Sequence, residues 1–374
     1  MFTQRPTWLA LEQELNSRHF ERADVIRSLL VGLLARQHVI LLGPPGTGKS
    51  YLVRNLCEHF DGRFFEWLLT RLSTPEELFG PISLRSLQND QYRRISTGKL
   101  PEADMVFIDE IFKASSAILN TLLPVLNEHV FFNDGQAMAI PLQMLVGASN
   151  ELPDDREELA ALWDRFLIRH VVDYVQEPAD FLALLQAPAS VTPQTRLTLA
   201  DLTAAQEAIT HVDMQQLYPL LATLRTDLSK MGLVASDRRW RQSLQCIQAQ
   251  AWLNGHPVAD AEDAAILQHI LWQTPDQRLP VAKAVFMLIS PFDQEAQDIL
   301  DDAKDAYLMA LATEDEKAMD VALEVNKSLK EALQQLEAVF HKSEEAGKPS
   351  IRAQNGLQQL KDWGHDLYKK RLEV

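Results

Sequence analysis

The segment HVILLGPPGTGKSYL, residues 38–52, runs from an apolar stretch through a glycine-rich turn into a sequence of helical character. Gly43, Gly48, Lys49 and Ser50 match the pattern G-x-x-x-x-G-K-[ST], with the strand and helix flanks that it requires. The glycines let backbone N–H groups point at phosphate oxygens beside a helix N-terminus, while Lys49 reaches the terminal phosphates and Ser50 ligates Mg²⁺. The residues assigned to nucleotide binding are Gly43, Pro44, Pro45, Gly46, Thr47, Gly48, Lys49, Ser50 and Tyr51.

Around this segment, short β-branched or aromatic runs alternate with helical patterns after one or two amphipathic helices in residues 8–36. The predicted strands are residues 38–42, 63–69, 104–108, 143–148 and 169–175. This alternation favours an α/β fold with a parallel, doubly wound, five-stranded sheet. Ligands of such sheets bind at the carboxyl ends of the strands, so polar residues that follow the strands are expected to converge.

Two of these strands end in polar residues that suit ATP hydrolysis. The stretch MVFIDEIF, residues 105–112, ends its apolar part in Asp109 and Glu110. Successive side chains of a strand point in opposite directions, so Asp109 is assigned to the metal ion and Glu110 to the attacking water. Asn150, at the end of LQMLVGASN, is predicted to position the same water or to sense the γ-phosphate.

Composition and charge exclude several classes of protein. The formal net charge of −16 disfavours sequence-independent binding to a phosphate backbone. Cys57 and Cys246 are far apart, and the absence of CxxC and HExxH motifs argues against a disulfide framework or a zinc site. The first residues lack the apolar core of a signal peptide, and no stretch is long enough and free enough of charge to span a membrane. A cytoplasmic protein is expected.

The sequence is divided into three predicted domains. Residues 1–176 form the α/β nucleotide-binding domain, residues 177–278 an all-helical lid, and residues 279–374 a C-terminal helical bundle. In the last of these, apolar residues recur at spacings of four and three, from Ala322 through Leu329 to Leu336. Three helices are expected, joined at TEDE (313–316) and SEEAGKPS (343–350), and the simplest interpretation of the apolar seam is the core of that bundle.

The order of these motifs resembles the AAA+ ATPases, and within them the MoxR family. The resemblance covers about residues 10–275 and rests on three stretches, which are LTRLSTPEELFGPIS, ILNTLLPVLNEHVFFNDGQ and ASNELP. Within the family, the likeness is greatest to the regulatory ATPase RavA. The β domain that RavA carries among its C-terminal helices has no counterpart here, so RavA's partnership with lysine decarboxylase is not carried over.

Two further site residues follow from the resemblance. The stretch ALWDRFLIRH resembles the segment that gives an arginine finger to the neighbouring subunit, with Arg165 at the finger position and Arg169 as the alternative. A simple ion pair between Arg165 and Asp164 is the competing interpretation. The stretch VASDRRWRQS resembles the second sensor of the lid, which assigns Arg238 over Arg239.

The resemblance implies an Mg²⁺-dependent ATPase that closes into a homo-hexameric ring. Members of this family resemble chaperone-like motors that remodel or activate proteins, often with a partner carrying a von Willebrand factor A (vWA) domain. Clients are expected to meet the loops at about residues 80–103 and 129–141.

Two alternatives remain open. A nucleic-acid-translocating motor would use basic residues of the first loop, but acidic residues accompany them there and the net charge opposes it. A scaffold that binds nucleotide without hydrolysing it would not need the complete set of catalytic residues.

Overall fold

Five strands pair in parallel in the order β2-β3-β6-β1-β7, and a separate antiparallel hairpin is formed by β4 and β5. The strands are β1 His38–Leu42, β2 Phe64–Leu68, β3 Met105–Asp109, β4 Val130–Asn133, β5 Gln136–Ala139, β6 Met144–Ser149 and β7 Phe166–Val171. This computed structural model describes residues 2–152, 157–187, 192–289, 291–313, 318–345 and 350–372. The predicted α/β class and five-stranded parallel sheet are confirmed.

The helices of the chain alternate with the strands and then continue without them. They are α1 Arg5–Asn16, α2 Ala23–Leu34, α3 Lys49–Glu58, α4 Pro75–Phe79, α5 Leu84–Leu87, α6 Ser116–Glu128, α7 Glu157–Arg165, α8 Pro178–Gln186, α9 Leu199–Ile209, α10 Tyr218–Lys230, α11 Asp237–Asn254, α12 Arg278–Ile289, α13 Pro291–Ala312, α14 Ala318–Glu345 and α15 Ile351–Leu367. No helix in the described part of the chain is long and apolar enough to cross a membrane.

One predicted strand is displaced in the structure. The strand expected at residues 169–175 is β7, Phe166–Val171, so it begins three residues earlier and ends four residues earlier. Residues 166–168 are buried, and Phe166 and Ile168 pair with His38 and Val39 of β1, so the strand begins before the predicted residue 169. After Val172, whose N–H donates to the carbonyl of Leu42, the backbone leaves the sheet, and the amides of Gln176 and Glu177 donate to the carboxylate of Glu21.

The register of the sheet brings the carboxyl ends of the central strands to one edge. Leu42 at the end of β1 lies opposite Ser149 at the end of β6, and Leu68 of β2 lies opposite Asp109 of β3. The other edge carries the amino ends, where Phe166 of β7 lies opposite His38 of β1. With a rise of about 3.3 Å per residue, the two edges are on the order of 15 Å apart.

The described residues form two compact units. The first contains residues 1–218 and 234–275, and the second contains residues 219–233 and 276–374. The predicted division at residues 176 and 278 stays a prediction.

In the second unit, α13, α14 and α15 pack around an apolar core, as the seam predicts. Its buried members include Ala322, Leu329 and Leu336. Gly356 lets the helices approach closely, because a Cβ there would lie 2.7 Å from a methyl carbon of Leu300. Of the predicted connections, residues 314–317 and 346–349 lie outside the described residues.

His38 makes the stability of the first unit depend on pH. Its Nδ1 accepts a hydrogen bond from the N–H of Leu145 at 3.1 Å, so its Nε2, 3.1 Å from the carbonyl of Leu126, carries the proton of a neutral ring. Burial lowers the pKa of His38 to about 4. The unfolded chain therefore takes up the proton more readily, and the free energy of unfolding falls as the pH drops from about 6.5 towards 4.

We expect this residue alone to reduce the free energy of unfolding by on the order of 2 kcal/mol between about pH 7.5 and pH 5. Urea unfolding followed by tryptophan fluorescence at both pH values measures the loss. A glutamine can make both hydrogen bonds without titrating, so His38→Gln should remove that part of the pH dependence, whereas replacement of the exposed His341 should not. Equal pH dependence in His38→Gln and the parent would contradict the assignment.

Candidate active site

The phosphate loop follows β1 directly and depends on left-handed glycines. Gly46 and Gly48 have φ of +81° and +80°, a region that favours glycine, and Gly48 is the N-cap of α3. Gly43 is needed for a different reason, because a Cβ there would lie 1.9 Å from the carbonyl oxygen of Val172 at the end of β7. The N–H of Gly43 donates to the carbonyl of Ser149 at 3.0 Å, so the loop is held between β6 and β7.

Lys49 points back over this loop. Its Nζ donates to the carbonyls of Gly43 and Pro44 at 2.7 and 2.8 Å, and lies 3.4 Å from the Oδ1 of Asn150. Burial lowers the pKa of Lys49, while the charges of Asp109 and Glu110 oppose that shift. The ammonium group therefore lies in the middle of the predicted phosphate site.

The loop meets the requirements of a phosphate ligand. Among the described residues, the amides of Gly46, Thr47 and Gly48 have no protein acceptor. The site therefore has a positive electrostatic potential, which attracts a polyphosphate. It comes from these N–H donors, from the N-terminus of the ten-residue helix α3 and from the Lys49 ammonium.

A cavity of about 330 Å³ opens beside the loop, a volume within the usual range for small-molecule sites. It is lined by Gly46, Thr47, Gly48, Lys49 and Tyr51 of the predicted set, and by three segments that the sequence does not predict to be part of the site. These segments are the turn after α1 with Arg18, His19, Phe20 and Arg22, the segment after β7 with Val172, Tyr174 and Val175, and α8 with Phe181 and Leu184.

The walls of this cavity suit a flat, uncharged ring. The Tyr51 ring lies 5.3 Å from the His19 ring, and the Tyr174 hydroxyl donates to the carbonyl of Pro45 at 3.2 Å. Burial, with help from Arg18 and Arg22, lowers the pKa of His19 to about 4, so its imidazole is neutral at pH 7. The cavity therefore fits a nucleotide base beside the phosphate loop.

Asp109, Glu110 and Asn150 meet at the same edge of the sheet. The Nδ2 of Asn150 donates to Oε1 of Glu110, and its Oδ1 faces Lys49, so Asn150 bridges the phosphate loop and the predicted base. Oδ1 of Asp109 accepts from the N–H of Glu110 at 2.9 Å. Burial and the neighbouring Glu110 charge raise the pKa of Asp109, although the N–H bond and Lys49 oppose the shift. The structure thus brings the three predicted strand-end residues, Asp109, Glu110 and Asn150, together with Lys49 of the phosphate loop.

Ser50 and Asp109 are the residues assigned to Mg²⁺. Ser50 lies in the first turn of α3, which packs against β3, and Asp109 ends β3. A hydroxyl and a carboxylate beside phosphate oxygens match the oxygen ligands that Mg²⁺ prefers. Elsewhere in the described chain, His256, Asp260 and Asp263 lie close enough to share a cation, but hydrogen bonds join His256 to Asp263 and the Asp260 amide to the same carboxylate.

The two candidate finger arginines differ in exposure. Arg169 is fully buried, and its guanidinium donates to the carbonyls of Phe166, Trp163 and Trp272 while lying 4.2 Å from the Trp163 ring centre. Because these carbonyls of its own chain occupy the guanidinium, its burial disfavours the alternative assignment of Arg169 as the finger. Arg165 is 21% exposed, and its buried Nε has no hydrogen-bond partner. Its pair with Asp164 is loose, at 3.6 Å.

Burial separates Arg238 from Arg239 in the same way. Arg239 is buried and donates to the carbonyls of Leu167 and Ile270, both at 2.8 Å, and burial lowers its pKa to about 10. Arg238 is exposed and donates to the side chain of Asn127 at 3.0 Å. Arg238, which the resemblance favours, is thus the exposed residue of the two, and Ser236 is the N-cap of α11.

Arg238 is not, however, at the phosphate loop of its own chain. It is absent from the lining of the cavity over Lys49, and its charge acts on Arg165, whose pKa is lowered by burial and then by Arg238. Arg165 directly precedes β7, so this pair lies at the amino edge of the sheet, opposite the edge that carries Lys49.

Comparison with known proteins identifies the family. A family model described as the MoxR domain in the MoxR-vWA-beta-propeller ternary systems matches residues 9–214, more than half of the chain. A model of an AAA lid domain matches residues 216–285.

Similar proteins extend this match. An uncharacterized protein of Methanocaldococcus jannaschii is 38% identical over 295 residues, which cover 79% of this chain and 77% of that protein. Protein MoxR of Paracoccus denitrificans is 31% identical over 183 residues, covering 47% of this chain and 53% of that protein. Chaperone MoxR1 of Mycobacterium tuberculosis is 28% identical over 190 residues, or 49% of each chain. The two named relatives are therefore matched over about half of their length.

A solved structure supports the fold. The crystal structure of a candidate ATPase from Cytophaga hutchinsonii superposes with a TM-score of 0.61 and 16% identity, covering 76% of this chain and 94% of that one. With the family model spanning more than half of the sequence, the chain belongs to the MoxR family of AAA+ ATPases.

Proposed function

We propose that this protein is an Mg²⁺-dependent ATPase that assembles head to tail into a hexameric ring and acts as a chaperone-like motor on partner proteins. The main support for the proposal is that the predicted site residues lie at two opposite edges of one sheet. Lys49, Asp109, Glu110 and Asn150 lie at the carboxyl edge, and Arg165 with Arg238 lies at the amino edge.

In the proposed reaction, Lys49 and the loop amides hold the β and γ phosphates, and Ser50 and Asp109 hold Mg²⁺. The ion would neutralise charge on the transferred phosphoryl group. Glu110 takes a proton from the attacking water, and Asn150 keeps the Glu110 carboxylate oriented towards the phosphate loop.

Arg165 and Arg238 would act on the nucleotide of a neighbouring copy. Burial and then the charge of Arg238 lower the pKa of Arg165, and the buried Nε of Arg165 lacks a hydrogen-bond partner. A phosphate group of a bound nucleotide would offset the positive charge of the two arginines and would accept a hydrogen bond from the Nε of Arg165. Because the contact joins different surfaces of two copies, its repetition closes a ring, and we infer six copies from the family.

The client-facing surface combines the two predicted loops. The side chain of Asn133 in β4 accepts from the N–H of Arg94 at 2.7 Å and donates to its carbonyl at 3.1 Å, and Asp134 accepts from the N–H of Tyr92. Exposed apolar side chains on this joined surface include Leu84, Tyr92, Phe132 and Met138.

This surface favours a polypeptide over a nucleic acid. The guanidinium of Arg94, one of the basic residues of the first loop, is taken up by the Glu76 carboxylate and the Gly80 carbonyl. The exposed apolar side chains of this surface, such as Leu84, Tyr92 and Phe132, suit a protein client.

The partner we propose is a protein with a vWA domain, supported by the description of the matching family model, which also names a β-propeller. A cytoplasmic location is proposed on the basis of two buried, unpaired cysteines. The particular likeness to RavA rests on the quoted sequence stretches and does not extend the proposal to RavA's partners.

The test has two parts. Phosphate release with ATP is measured with Mg²⁺ and with excess EDTA, and mass is measured by light scattering with and without ATP; no Mg²⁺-dependent turnover would refute the enzymatic part. Glu110→Gln protein held in ATP and Mg²⁺ is then used to capture partners from its own cell lysate, with and without nuclease. A vWA protein retained after nuclease treatment supports the proposal, whereas nucleic acid as the main ligand would replace it with a translocating motor.

A further inference from the structure

A second basic residue contacts the carboxylate that is assigned to hydrolysis. The Nζ of Lys113 lies 3.1 Å from Oε2 of Glu110, while Asn150 donates to Oε1. Both oxygens of Glu110 are therefore contacted, one by a hydrogen bond from a neutral amide and the other by an ion pair with a cation. The sequence analysis assigned no role to Lys113.

The backbone after β3 brings Lys113 to this position. Glu110 has φ of +54° and ψ of +41°, an uncommon conformation for a non-glycine residue, and it is the N-cap of a short 3-10 turn, Ile111–Lys113. In that turn the N–H of Lys113 donates to the carbonyl of Glu110 at 2.9 Å. The side chain of Lys113 is thus folded back onto the carboxylate three residues before it.

The pair has one buried and one accessible member. The Glu110 side chain is 11% exposed, and that of Lys113 is 39% exposed. Lys113 and Glu110 both line a second cavity of about 330 Å³, which also includes Arg71, Glu151 and Leu152. An ammonium at the mouth of a cavity can leave its carboxylate at low cost because water replaces the contact.

This contact opposes the reaction assigned to Glu110. The carboxylate oxygen that pairs with the Lys113 ammonium is not available to a water molecule, which a general base must contact directly. We propose that Lys113 is a positioning residue that holds Glu110 in a resting arrangement, and that withdrawal of its ammonium into the second cavity releases Glu110 for hydrolysis. This inference rests on the proposed ATPase function.

The test is the steady-state ATPase activity of Lys113→Met and Lys113→Arg in the full chain. Lys113→Met keeps the length of the side chain without its charge, and we expect kcat to rise about two- to fivefold with little change in KM for ATP. Lys113→Arg restores a cation and should return kcat to the parent value. Lys230→Met removes a lysine from another i,i+3 ion pair, with Asp227 at 2.8 Å, and serves as the matched control.

The outcomes distinguish a failure of this inference from a failure of the proposed ATPase function. If the parent protein shows no Mg²⁺-dependent turnover, the proposed function fails. If the parent turns over ATP and Lys113→Met has an unchanged or lower kcat, Lys113 does not restrain Glu110 and the inference is overturned. A rise in Lys113→Met that Lys113→Arg reproduces would also overturn it, because the cation would then be irrelevant.

Discussion

Replacing Glu110 with glutamine is expected to leave ATP binding intact and to lower kcat by about 10² to 10⁴, the usual contribution of a general base. Glutamine keeps the shape of the side chain and can still accept from the amide of Asn150, so the phosphate loop and its Lys49 contact are preserved. It has no carboxylate to take a proton from water. Fluorescent-nucleotide titration measures binding, and phosphate release measures turnover.

The control for this variant is Glu207→Gln, which changes an exposed carboxylate on α9. Its turnover should match that of the parent. Normal turnover in Glu110→Gln would remove Glu110 from the reaction, and loss of ATP binding in that variant would mean that the carboxylate supports the loop itself. Normal turnover would require a different base at this edge of the sheet.

Replacing Arg165 with alanine is expected to lower kcat by about 10³ or more, the lower range for an arginine finger supplied by a neighbour. Arg165 lies at the amino edge of the sheet, so the variant should still bind ATP at its own loop. Mixing it with Lys49→Ala, which keeps Arg165 and loses its own phosphate ligand, should restore activity that neither variant has alone. In the mixture, an intact loop of one copy meets an intact arginine of the next.

The recovered activity should rise and then fall as the ratio of the two variants is varied. Arg278→Ala, at an exposed position at the start of α12, is the control and should behave as the parent. If Arg165→Ala had a normal kcat, Arg165 would have no role in the reaction, and the competing interpretation, an ion pair with Asp164, would hold. Failure of the mixture at every ratio, with assembly shown to occur, would contradict a contribution between copies.

Local sequence was sufficient to predict the phosphate loop and the strand-end carboxylates. In these segments the chemical residues directly follow the apolar strand that positions them, so Lys49, Asp109, Glu110 and Asn150 could be placed without knowing the rest of the fold. The same logic predicted the apolar seam from Ala322 to Leu336. Periodicity and parallel pairing are enough for such features.

The arginines required information that spacing does not contain. Arg165 and Arg169, or Arg238 and Arg239, are equivalent in composition, and only burial shows that one of each pair binds backbone carbonyls. Much of the lining of the cavity beside the phosphate loop could not be predicted from the sequence. It combines segments near residues 20, 174 and 181, which come together only in the folded chain. A helical-wheel treatment would also not find Lys113, because its approach to Glu110 depends on a left-handed residue.

The turn that contains Lys113 lies just before the N-terminus of α6, and the C-terminus of that helix leads into the β4–β5 hairpin. A helix of 13 residues is about 20 Å long, so a tilt of roughly 10° at its base would displace its tip by roughly 3 Å. Asn133 ties the hairpin to the backbone of Arg94, and the first loop would therefore travel with it. In the proposed motor, loss of the ion pair at Glu110 would therefore shift, through α6, the loop surface at which a client is proposed to bind.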